Sequence, residues 1–234
     1  MPPIRKGDGT PVTPKGISQI RTGDGRILFD GVAIRDSVLL PQLNDLDNFT
    51  GDTDTVDINN DTPKANTEFT DLSLKWANPT SGDDSIQSLT GLDNYPDVGD
   101  THRFWYFPDD PNDSQQRVYF GNDSDTGRNN CYTVIINKDN DEIFIQKVTD
   151  GSSFDNLATS SNVGMPDGEF IEGEVLHEND GTITFTLYDN SGTELDSISG
   201  SDTDFITDGS YDNSGIGIEN PRPVTDAFDF WRIV

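Results

Sequence analysis

The chain has 234 residues but only one cysteine, Cys131, and only two histidines, His102 and His177. A single cysteine excludes an internal disulfide, and its place in the apolar run Cys131–Ile136 suggests a small buried hydrophobe instead of a reactive thiol. The two histidines lie far apart, without a second histidine or cysteine near either, so no zinc-binding pattern is present. Long apolar runs are missing too. Nothing approaches the roughly 20 residues of a membrane-spanning helix, and the N-terminal MPPIRKGDGTPVTPKG lacks the apolar stretch of a signal peptide. The expectation is a protein assembled in the cytoplasm without membrane insertion. Gly-rich phosphate loops, Ser-centred nucleophile elbows and cysteine pairs are absent as well.

Basic residues are scarce. Fifteen Lys and Arg stand against 43 Asp and Glu, for a net charge of −28, and 35 of the acids are Asp. Such a surface excludes free nucleic acid as a partner. A charged chain with 31% hydrophobic residues invites a disordered reading. Here, however, the apolar residues are grouped into alternating runs with aromatic clusters that only a core would need. The acidity then fits a solvated surface adapted to high salt, where the Debye length shrinks to about 3 Å.

What the sequence does contain is strands. Thr182–Tyr188 alternates, with Ile183, Phe185 and Leu187 on one side and threonines on the other, the pattern of a half-buried strand. Asp189-Asn190-Ser191-Gly192 supplies a turn, and Glu194–Ser199 resumes the pattern, giving a hairpin. Further candidates are His102–Phe107, Arg117–Gly121, Cys131–Asn137, Glu142–Val148, Glu169–His177, Gly215–Glu219 and Ala227–Val234. Upstream, Thr67–Ala77 places Leu72, Leu74 and Trp76 on one face, and residues 78–101 read as a Pro-, Gly- and Asp-rich surface run. No helix is expected, and so many short strands indicate an all-β, two-sheet antiparallel sandwich.

The order GEV, DGTITFTLYDNSGTELDSIS, GIGI and FDFWRIV resembles the C-terminal half of concanavalin A-like, laminin-G-like jelly rolls. The early strands of that family correspond to Gly99–Phe107 and Cys131–Val148. The resemblance covers residues 44–234 and implies a jelly-roll domain there, preceded by an N-terminal arm and linker over 1–43. It also implies a calcium clip joining the start of the domain to its last strand, at Asp47 or Asp52 and Asp229, although Thr50 replaces the acid common in the similar entrance motif. Function is left open by this fold, which carries lectins, glycosidases and structural modules.

The arm has its own character. Met1–Asp36 holds six basic and four acidic residues, so it is near +2 while the remaining residues are near −30. Ile17–Ile34 reads as a small hairpin around Gly23-Asp24-Gly25 and Asp30-Gly31. The phrase SQIRTGDGRILFDGVAIRDS resembles N-terminal arms of structural proteins from tailed viruses of halophilic archaea. That resemblance implies a virion protein, a capsid turret, spike or tail-fibre module anchored through Arg21, Arg26, Ile27, Phe29 and Ile34. Its partners would be major capsid or tail proteins, with a ring or trimer of its own copies.

Sugar recognition needs an aromatic platform beside hydrogen-bonding groups, and Trp76, Trp105 and Tyr119 are the candidate platforms. A host-surface glycan is the implied ligand, and a lectin-like carbohydrate-binding module is the alternative to the virion reading. Glycoside hydrolysis requires two carboxyl groups at set separation. Glu172 and Glu174 share a strand face, but Glu-Gly-Glu does not reproduce the Glu-x-Asp-x-x-Glu strand of glucanases with this fold, so no enzymatic activity is expected.

Overall fold

The computed structural model describes residues 19–21, 27–30, 49–51, 56–59, 73–76, 84–88, 98–108, 114–123, 128–207, 215–220 and 227–233, with side chains at 98–108, 114–123, 128–206 and 217–219. The chain forms two compact units, Met1–Asp36 and Ser37–Val234. In the first, β1 (Gln19–Arg21) pairs antiparallel with β2 (Ile27–Asp30), with Ile20 opposite Phe29 and Arg21 opposite Ile27. The expected hairpin is present, and the Gly23–Gly25 turn signal lies between its strands.

The second unit is a sandwich of two seven-stranded antiparallel sheets. Its strands are β3 (Phe49–Gly51), β4 (Val56–Asn59), β5 (Ser73–Trp76), β6 (Asp84–Ser88), β7 (Thr101–Phe107), β8 (Gln115–Asn122), β9 (Cys131–Asn137), β10 (Glu142–Thr149), β11 (Ser153–Ser161), β12 (Ile171–His177), β13 (Thr182–Tyr188), β14 (Glu194–Ser201), β15 (Gly215–Asn220) and β16 (Ala227–Ile233). One sheet runs β11-β10-β9-β8-β15-β6-β3 and the other β14-β13-β12-β7-β16-β5-β4. The all-β jelly-roll expectation is thus met. Two details differ. Asp84–Ser88 is an inner strand between β15 and β3, not a surface run, because its backbone finds partners on both sides despite its polar composition. Asp204–Thr207 forms one helical turn.

Period-two alternation builds the core. Ile171, Val175, Ile183, Phe185 and Leu187 point inward from β12 and β13 to meet Val118, Val134, Ile143 and Ile145 from the facing sheet. Phe104 needs an absent neighbour: a Cβ on Gly173 would stand 2.4 Å from its Cζ. His102 and His177 also lie in this core, each 1% exposed. The His177 ring packs edge-on against Tyr132 at 5.1 Å, and His102 packs against Phe120 at 5.0 Å. Burial lowers the His102 pKa to about 3, helped by His177; burial also lowers His177 to about 4, against a small opposing effect of Asp202.

A strap beyond β14 closes one end of the core. The Tyr132 hydroxyl donates to Asp202 Oδ1 at 2.7 Å, and Lys147 Nζ bonds Asp202 Oδ2 at 3.1 Å and also pairs with Asp204. Phe205, 6% exposed, seats against Tyr132. Along one side of the sandwich the outermost strands β11 and β14 touch. A Cβ on Gly200 would lie 2.7 Å from Leu157 Cβ.

Candidate functional site

The outward face of the β8–β11 sheet carries a group of polar and aromatic side chains. Register places Phe154 beside Val148 and Val148 beside Cys131. The next row is Asn156, Gln146, Thr133, Tyr119 and Gly217; the one after it includes Phe144, Ile135, Arg117 and Glu219. This explains why β9 is buried on both faces: one face meets the core and the other lies beneath this cluster.

Two turns position the cluster. Asp150 and Gly151 both have positive φ, 51° and 68°, and Ser152 N donates to Thr149 O at 3.3 Å. That is the Asp-Gly hairpin turn whose twist suits paired strands. Gly151 also lets the neighbouring loop approach, since a Cβ there would stand 2.6 Å from the Arg128 carbonyl oxygen. Its amide donates to Asn129 O at 3.2 Å, and Asn130 Oδ1 accepts from the Asp150 amide at 3.1 Å. From the other side, the Asp123 carboxylate accepts from the Asn129 and Asn130 side-chain amides at 2.8 and 2.9 Å. Arg128 therefore leaves a loop base that is pinned on both flanks.

At the centre lies Glu219, 3% exposed. Arg117 engages its Oε1 and Arg128 its Oε2. Both guanidiniums sit over the Phe154 ring, at 4.7 Å for Arg128 and 5.7 Å for Arg117, within cation–π range. Phe154 is 39% exposed and is the one large apolar side chain exposed among the described residues. Beside it Gln146 Nε2 donates to Asn156 Oδ1 at 2.6 Å. Beneath it Tyr119, Cys131 and Val148 form a small sealed layer, and burial pushes the Cys131 thiol well above its ordinary range. A thiol held protonated is a poor nucleophile. Thr133 is fully buried in the same layer, and its Oγ1 has no hydrogen-bond partner among the described residues.

The residues singled out from sequence fall in several places. Tyr119 belongs to this face but is 0% exposed, so its ring forms the floor and not the platform. Trp105 is on β7 of the opposite sheet, 7% exposed. Trp76 lies in β5, and its side chain is outside the described residues. Glu172 and Glu174 do share one face, with Arg103 between them: its Nε donates to Glu174 Oε2 at 2.6 Å, and its Nη1 is 3.5 Å from Glu172 Oε1. Asp47 and Asp52 lie outside the described residues; Asp229 pairs through its backbone with Trp105. Among the described residues no group of three or more His, Cys, Asp or Glu is placed to hold a metal. Arg21, Ile27 and Phe29 are in the N-terminal hairpin, whereas Arg26 and Ile34 lie outside the described residues.

Phe154, Arg117, Arg128 and Glu219 escaped the sequence reading as a group. The available signal was a charge set inside two otherwise inward-reading strands, Arg117 in QQRVYFGN and Glu219 in GIGIEN.

The sequence matches no protein-family model and no curated protein. Solved structures do share the architecture. A protein of unknown function from Shewanella oneidensis MR-1 aligns with a TM-score of 0.57 at 15% identity, over 85% of this chain and 84% of that one. The exoplasmic/lumenal domain of VIP36, in its Ca2+/Man3GlcNAc-bound form, aligns with a TM-score of 0.50 at 10% identity, over 77% and 83%. The carbohydrate-binding module CBM66 from Bacillus subtilis gives 0.49 at 15% identity, over 78% and 92%. At these identities the likeness concerns the fold.

Proposed function

We propose that the sandwich is a carbohydrate-binding, lectin-like module whose ligand lies across the face of β8–β11. The observation that carries this reading is the exposed Phe154 ring, bracketed by the Arg117 and Arg128 guanidiniums and the Gln146–Asn156 amide pair. A pyranose offers an apolar C–H face to such a ring and hydroxyls to such donors and acceptors. The shared fold with the Man3GlcNAc-bound VIP36 domain supports it. The work of the site is binding: its thiol is sealed and protonated, and its one buried carboxylate is engaged by two arginines. A glycan-array screen, repeated with calcium and with a chelator, tests this. Phe154→Ala should weaken the best hit about tenfold, equivalent to about 1.4 kcal/mol, with the melting temperature unchanged. An unaltered affinity in that variant would remove the site from this face. Chelator sensitivity would bring in a calcium requirement, for which Asp47, Asp52 and Asp229 are the proposed ligands.

The separate compact unit Met1–Asp36 favours a second, compatible reading. A weakly basic, hairpin-bearing segment on a strongly acidic chain suits attachment to an acidic assembly, by adding strands or laying backbone across it. In this reading the sandwich is displayed on a virion capsid or tail in a ring or trimer, with Arg21, Arg26, Ile27, Phe29 and Ile34 as the contacts. Deleting Met1–Asp36 should abolish incorporation into particles; wild-type incorporation of the truncated chain would discard the anchoring role.

A further inference from the structure

We infer that Glu219 is the positioning residue of this face: too buried to touch a ligand itself, it sets the pose of the Phe154 platform by fixing the two guanidiniums that the ring covers. This rests on the carbohydrate-binding reading above and adds the group that governs its platform.

The side chains stand in tiers. Exposure rises from 4% for the Glu219 side chain to 16% for Arg128 and 20% for Arg117, and then to 39% for Phe154. The carboxylate is therefore the floor, the guanidiniums are the middle, and the ring is the part that meets solvent. Nothing in the strand order imposes this arrangement. Phe154 is on β11, three strands from β8, which is about 14 Å at ordinary strand spacing. To meet Arg117 at 5.7 Å the ring has to lie along the sheet instead of standing away from it. Its own strand is an edge, hydrogen-bonded to β10 alone. What holds the ring down is the pair of cations, each attracted to its face.

The cations are in turn placed from two directions. Arg117 is the direct cross-strand partner of Glu219 between β8 and β15. Arg128 comes from the loop whose base Asp123 pins through Asn129 and Asn130. Each takes its own oxygen of the one carboxylate, Oε1 for Arg117 and Oε2 for Arg128, so a single planar group fixes both guanidiniums relative to each other. Strand pairing does not need this triad, because the backbone ladder of β8 and β15 also runs through Val118 and Ile218. Nor is a carboxylate buried among arginines an efficient route to stability: desolvation offsets the attraction, and apolar residues of similar volume often do as well. What the triad supplies, and apolar packing would not, is direction for the two cations and hence for the ring.

The test follows the ring itself. In the full chain para-fluorophenylalanine replaces Phe154 and its fluorine resonance is recorded, beside titration of the best glycan-array hit. Glu219→Gln keeps the shape and gives up the shared charge; it should move the resonance toward that of the free amino acid and weaken binding about tenfold. Glu219→Asp, with the charge and a shorter reach, should recover part of both. Added to Phe154→Ala, Glu219→Gln should weaken binding little further, because the ring through which it acts is gone. Asp202→Ala loosens the terminal strap and not this face, and should leave the resonance in place. An unmoved resonance in Glu219→Gln, an equal shift in Asp202→Ala, or a moved ring with full affinity overturns the inference. So do losses that multiply to roughly a hundredfold in the double variant. Circular dichroism confirms that each variant is folded; if Glu219→Gln is not, Arg128→Gln is read by the same resonance, and an unmoved signal there overturns the inference. If no saccharide binds, here or on the array, while the ring still moves, the carbohydrate reading falls and the hold of Glu219 on Phe154 stands.

Discussion

Gly217 lies directly under the ring of Tyr119, so close that a Cβ built on it would stand 2.2 Å from Cζ and 2.3 Å from the hydroxyl oxygen. The two residues face one another across β8 and β15, and the Tyr119 ring, fully buried, has no free direction to take. Gly217→Ala should therefore cost about 1–3 kcal/mol through overpacking. In a domain of this size that lowers the melting temperature by roughly 2–4 °C per kcal/mol. Because Glu219 is two residues along the same strand, glycan affinity should fall as well. A thermal melt and a binding titration check both, and unchanged values would show that Tyr119 can leave its seat.

The core histidines contribute a pH dependence to stability. Both folded pKa values, about 3 for His102 and about 4 for His177, lie below the ordinary 6.5. The unfolded chain therefore takes up protons before the folded one does. The contribution of the two neutral rings is complete above about pH 6.5 and is lost as pH falls toward 4 and 3. Urea midpoints measured from pH 7 to 4 should decline, and His177→Leu should flatten that decline. A slope identical in the variant would assign the acid sensitivity to carboxylates instead.

Asp202 ties the terminal strap to the core. Burial alone would raise its pKa, but donors from Tyr132, the Asp204 amide and Lys147 outweigh burial and hold it below the ordinary carboxylate value. Asp202→Ala removes the acceptor of the Tyr132 hydroxyl and should cost about 1–3 kcal/mol. Tyr132→Phe in that background should cost less than it does alone, since the two groups share one bond. Strictly additive losses in a double-mutant cycle would contradict the coupling.

Charge makes stability depend on salt. With a net charge of −28, self-repulsion is screened at molar ionic strength and exposed on dilution. The melting temperature should rise steadily between about 10 mM and 1 M NaCl. A flat response would refute adaptation to high salt.

Much of the fold was legible because its strands announce themselves through alternation. Cys131–Asn137 and Thr182–Tyr188 stand in the structure with the bounds read from sequence. Ser153–Ser161 was missed because this edge strand, SFDNLATSS, packs only the adjacent Leu157 and Ala158 against the core, too little to impose alternation. The site was less legible for a different reason. Arg117 and Glu219 are 102 residues apart and Arg128 and Glu219 are 91 apart. Their meeting is decided by β15 inserting beside β8, a pairing no local window contains. Aromatic type alone pointed to Tyr119 and Trp105, but type does not reveal which ring stays in water. Phe154, in its polar surroundings, is the ring that does.

The approach of Gly200 to Leu157 brings the two edge strands of one flank together. The unpaired backbone edges of β11 and β14 open onto a common seam, where an extended segment docking on one sheet collides with the backbone of the other. The missing side chain at Gly200 is thus what lets the two edge strands shield one another from a third.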